Sequence, residues 1–143
     1  MVNVEIRALL DPDGTPVTNV AFDLSATQLG ACAHAVAEVL LERHRGAVLD
    51  VDAVLALREL TALRDELDRL AAAEAHATLV LPLARFIALH DTLDEYVVTR
   101  AGTDRLREAD DAALPVAGAL LAPMAELRAD ALAAALGASS RTP

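Results

Sequence analysis

The chain has 143 residues, 55% of them hydrophobic but only 2% aromatic, and its 22 Asp and Glu outnumber its 12 Lys and Arg for a formal net charge of -10. This length fits one domain that can bury a core without disulfides or a structural metal, and the negative field repels phosphate backbones and so disfavours nucleic-acid binding. The single cysteine, Cys32, rules out an intrachain disulfide and a cysteine-based metal site. Every basic residue is arginine, which together with the abundance of Ala, Leu and Asp reads as a codon bias and is assigned no function. The amino terminus lacks the basic and continuous apolar segments of a secretory signal. The longest uncharged run, Ala112 to Ala125, falls short of the roughly 18 to 20 residues that span a bilayer. A cytoplasmic location with no membrane association is expected.

Val2, Val4, Ile6, Ala8 and Leu10 alternate with Asn3, Glu5 and Arg7, the period-2 pattern of a strand with one buried face, and a first strand is predicted over about 2–10. Asp11-Pro12-Asp13-Gly14 carries turn chemistry, and Pro16 is expected to prevent immediate ladder pairing. A second strand over 17–24 places Val20, Phe22 and Leu24 on one face, giving an antiparallel hairpin. Ser25 with Gln28 forms the capping-box pattern that starts a helix. The apolar stripe of that helix runs through Leu29, Cys32 or Ala33, Val36, and Val39 or Leu40, and Gly46 follows the cationic end.

A second helix is predicted from near Asp50 or Asp52, with Leu57, Leu60, Leu63, Leu67 and Leu70 on one side and most charges on the other. Leu60, Leu63, Leu67 and Leu70 have heptad spacing; two heptads are fewer than a coiled coil needs, so an ordinary bundle helix is the preferred reading and the candidate interface of a helix-paired dimer the alternative. Ala77 to Leu81 reads as a third strand. Pro82 fits the first position of the next helix, whose stripe is Phe86, Leu89, Leu93, and Tyr96 or Val97, and then the stem of Arg100, with Gly102 as its stop. Thr103 and Asp104 are expected to cap a short charged helix ending near Asp111. Pro115 is expected to open the last helix, Pro123 to kink it and Gly137 to end it, leaving 138–143 as a disordered polar tail beyond a single domain of 1–137.

The predicted fold class is therefore α+β, with two or three antiparallel strands and four or five helices packed on one face. Val20 to Leu40 and Ala77 to Val97 share a strand-helix layout, which makes a pseudo-twofold strand-helix-helix repeat plausible, but their identities are too few to demonstrate duplication.

His90, Asp91, Asp94 and Glu95 form the densest titratable group. His90 with Asp94 and His34 with Glu38 are both i,i+4 pairs, a spacing that presents two side chains to one point of a helix face. If the two helices pack together, His90, Asp94, His34 and Glu38 supply the nitrogen and oxygen ligands a divalent metal takes. A surface or interhelical hydrogen bond is the commoner outcome for such pairs on acidic helices and is preferred here. No di-iron Glu-x-x-His, no His-Glu-x-x-His, no Gly-x-Ser-x-Gly and no phosphate-cradling glycine loop is present. Cys32 is expected to be a buried, inert thiol, and Tyr96 a core ring with its hydroxyl at the edge.

These features predict a small acidic, non-catalytic interaction or regulatory module, using no cofactor and self-associating as a homodimer, with an unidentified protein partner as a further option. The alternatives are a metal-dependent enzyme or small-ligand binder built on an interhelical His/carboxylate site, and an acidic inhibitor or antitoxin-like partner of a basic protein.

Overall fold

The structure, a computed structural model, describes residues 4–10, 16–46, 51–73, 77–101 and 108–140, and the side chains of 18–44, 51–73, 77–101 and 110–137. Within them the chain is α+β and mostly helical. The elements are β1 (Val4–Leu10), β2 (Pro16–Leu24), α1 (Ala26–Gly46), α2 (Val51–Ala72), β3 (Ala77–Pro82), α3 (Leu83–Ala101) and α4 (Glu108–Ser140). The sheet order is β1-β2-β3 with both pairings antiparallel. After the α1–α2 excursion the chain therefore returns beside β2.

The register pairs Val20 with Leu81 and Phe22 with Leu79. Because strand side chains alternate, this places Val20, Phe22, Leu24, Leu79 and Leu81 on one face, and all five are buried. Thr78, Val80 and Pro82 alternate with them and are exposed. Phe86 of α3 meets Phe22 edge-on, with centroids 5.4 Å apart at 78°, the arrangement the ring quadrupoles favour.

The start of α1 follows the capping chemistry expected of Ser25. Its Oγ accepts from the Gln28 amide at 3.2 Å, and Gln28 Oε1 accepts from the Ser25 amide at 2.9 Å. Two amides that the first turn would leave orphaned are thus satisfied. From there Leu29, Cys32, Val36, Val39 and Leu40 run into the core.

Several expectations are corrected. Pro16 does not delay pairing: it opens β2 opposite Leu10, and a proline is tolerated at the first residue of a strand because the missing N–H need not interrupt a ladder there. Pro82 closes β3 opposite Asn19 instead of starting α3, which begins at Leu83; β3 is an edge strand, where a proline costs little.

The largest difference is α4, which runs unbroken from Glu108 to Ser140 through Pro115, Pro123 and Gly137. Each proline removes one i→i−4 bond. The helix is held instead by its tertiary stripe, since Ala113, Ala117, Leu120, Met124, Leu127 and Ala131 are buried. Residues 138–140 thus belong to α4, while the expected stop at Gly102 and cap at Thr103 and Asp104 fall outside the described residues.

The leucine seam of α2 faces inward. Leu60, Leu63 and Leu67 are buried within this chain, and Leu70 packs against the same core. The seam closes α2 onto the chain's own core and leaves little surface there for a second copy. By length and composition Asp110–Gly137 is apolar enough to cross a membrane, but it carries Glu126, Arg128 and Asp130 and buries the stripe just described.

Candidate functional site

Three helices bring polar side chains to one point. On α1, His34, Glu38 and Glu42 lie one turn apart on a common side, and on α3 Tyr96 and Arg100 do the same. Asp110, in the first turn of α4, sits between them at 3% exposure. Its Oδ1 lies 2.8 Å from His34 Nε2 and accepts the Tyr96 hydroxyl at 2.6 Å, while Arg100 Nε is 3.9 Å away. Arg100 reaches Glu38 at 3.2 Å and Glu42 at 2.6 Å through Nη2. The guanidinium lies 5.3 Å from the centroid of the Tyr96 ring, and the His34 ring stands edge-on to that ring at 5.8 Å.

The electrostatics follow from this packing. Burial pushes the Tyr96 phenol well above its ordinary value, and the hydrogen bond to Asp110 and that carboxylate's charge push the same way. Burial opposes the Arg100 charge, but the hydrogen bond and charge of Glu42, then Asp110 and Glu38, raise it overall. No buried side-chain nitrogen or oxygen among the described residues lacks a partner. A satisfied network of this kind fixes the relative positions of the helices that contribute to it.

The metal candidates are divided between separate contacts. His34 and Glu38 belong to this cluster, each facing a different partner. His90 Nδ1 lies 3.3 Å from Arg128 Nη1, which also donates to Asp91 at 2.6 Å. Asp94 is exposed, and Glu95 pairs with Arg43 at 2.8 Å. Among the described residues no group of three or more His, Cys, Asp or Glu is arranged to hold a metal ion. Asp110 and Arg100, the centre of the cluster, were not singled out from the sequence as site residues. Asp110 stands in a charged run that reads as a solvated helix, and its partners lie 76 and 14 positions away.

Cys32 is fully buried, and burial pushes its thiol from 9.0 up to about 12. The folded state therefore holds the proton more tightly than the unfolded chain. The stabilisation is complete below pH 9 and is lost as pH rises from there toward about 12. Stability should fall with a slope of up to about 1.4 kcal/mol per pH unit from this group. Urea unfolding at a series of alkaline pH values, compared with Cys32→Ala, should show a shallower decline in the variant.

Two surface features involve α4. A cleft of about 300 Å³ beside the cluster is lined by Thr27, Gly30, Ala31 and His34 of α1 and by Ala112 and Ala113 of α4. On α4, Gly118, Ala122, Ala125, Ala129, Leu132 and Leu136 recur in steps of four and three. Gly118 is half-buried and the others are exposed, Leu136 at 70%. No protein-family model matches this chain, and no curated protein or solved structure matches it significantly.

Proposed function

We propose that the chain is a small acidic, non-catalytic interaction module that pairs with a second copy of itself through α4. The observation that carries this is the second α4 stripe. A contiguous exposed apolar patch marks an interaction surface, and α4 buries only the stripe from Ala113 to Ala131 within its own chain. Gly118 to Leu136 repeats the same spacing on another side of the helix with no charge in it. Its small residues allow close approach of a second helix, its leucines add apolar area, and a twofold pairing makes one patch serve both subunits. A single buried cysteine and the acidic charge fit a cytoplasmic protein. The succession β2-α1-α2 and β3-α3-α4 fits a pseudo-twofold repeat as the origin of the layout.

Sedimentation velocity across a concentration series tests the pairing. A dimer is expected for the wild type. Ala125→Glu combined with Leu132→Glu should give a monomer that unfolds at the same urea concentration or higher once diluted, because both positions are exposed in the single chain. A wild type that stays monomeric at high concentration, or that partitions into membranes, would overturn the proposal.

A further inference from the structure

We propose that the cleft between α1 and the start of α4 binds a small, uncharged, mostly apolar alcohol or phenol, whose hydroxyl donates to Nδ1 of His34. The inference is independent of pairing through α4, because it rests on the chemistry of one ring and on the shape of the wall beside it. Asp110 Oδ1 already accepts the Tyr96 hydroxyl and lies 2.8 Å from His34 Nε2. With a carboxylate as its neighbour, Nε2 carries the hydrogen, and in the uncharged ring Nδ1 is then left as an acceptor. Nδ1 has no hydrogen-bond partner among the described residues, and the His34 side chain is 24% exposed where it lines the cleft.

The rest of the wall restricts the ligand. Gly30, Ala31, Ala112 and Ala113 offer only apolar surface, and Thr27 adds one hydroxyl. The net charge of -10 works against an anionic ligand. Among the described residues that line the cleft there is no carboxylate to receive a cation. A neutral molecule with one hydroxyl matches both the apolar wall and the single acceptor.

Gly30 supplies the second observation. It stands inside α1, where glycine weakens a helix relative to alanine, yet a Cβ added there would meet nothing within 4 Å, and its backbone is not in the left-handed region. Neither packing nor backbone conformation requires glycine at this position. What the missing side chain does is leave the cleft open.

The test titrates phenol into the full chain and follows the His34 ring by nitrogen-15 NMR, with benzene as a probe of equal shape and no donor. Saturable perturbation of the His34 resonances is expected, with benzene at least tenfold weaker. Gly30→Leu should fill the cleft and abolish phenol binding, while thermal unfolding stays at or above the wild-type temperature. No saturable change at His34, equal affinity for benzene and phenol, or undiminished phenol binding by a folded Gly30→Leu protein would each overturn the proposal.

Discussion

Replacing Asp110 by alanine is expected to destabilise the fold by roughly 2–4 kcal/mol, read by urea unfolding at neutral pH. The deletion removes the acceptor of the Tyr96 hydroxyl and of His34, and it leaves both groups facing an interior without a replacement. It also takes one carboxylate from the neighbourhood of Arg100. Glu38 and Glu42 still neutralise that guanidinium, so the effect should come mostly from the two orphaned donors. Tyr96→Phe removes one donor and keeps the ring, and should cost about 1 kcal/mol. The double variant should then show a coupling on the order of 0.5–3 kcal/mol, the signature of groups in one network. A loss below about 0.5 kcal/mol for Asp110→Ala, the range of ordinary surface substitutions, would mean that Asp110 does not clasp the helices in solution.

The elements set by local chemistry were the ones legible in the sequence. Ser25 and Gln28 announce α1 because a capping box involves residues three apart, and the alternation of Val20, Phe22 and Leu24 announces β2 because a strand exposes its period directly. Where tertiary packing overrides a local rule, the reading fails. Pro115 reads as the opening of a helix, yet α4 starts earlier, at Glu108, and the buried stripe from Ala113 to Ala131 holds it through that proline. The polar cluster was half legible for a related reason. The i,i+4 spacing picked out His34 and Glu38 and offered an interhelical hydrogen bond or metal ligation as the use, but it did not name the partners, which come from other helices. Arg100 reaches back 62 positions to Glu38, and Arg128 reaches 38 to His90. No one-dimensional pattern reports a pairing of that span, so only the fold distinguishes a clasp from a ligand set.

Leu67→Ala should have the largest effect of any leucine in α2, a loss of about 2–5 kcal/mol of unfolding free energy. Leu67 is 0% exposed and belongs to the single core cluster that includes Val36, Leu93 and Leu127. Truncation removes the burial of its side chain and leaves a cavity that neighbours on other elements can only partly close. Its location makes the experiment discriminating as well as large. If the heptad of Leu60, Leu63 and Leu67 joined two chains, Leu67→Ala would weaken the dimer, and its sedimentation coefficient would fall toward that of a monomer. A seam buried inside one chain predicts the opposite: the unfolding midpoint drops, and the variant that remains folded keeps its sedimentation coefficient. The α4 variant Ala125→Glu with Leu132→Glu should show the reverse, a lost dimer with an intact chain. The contrast between the two follows from burial alone, since α2 turns Leu60, Leu63 and Leu67 into the chain and α4 turns its second stripe outward.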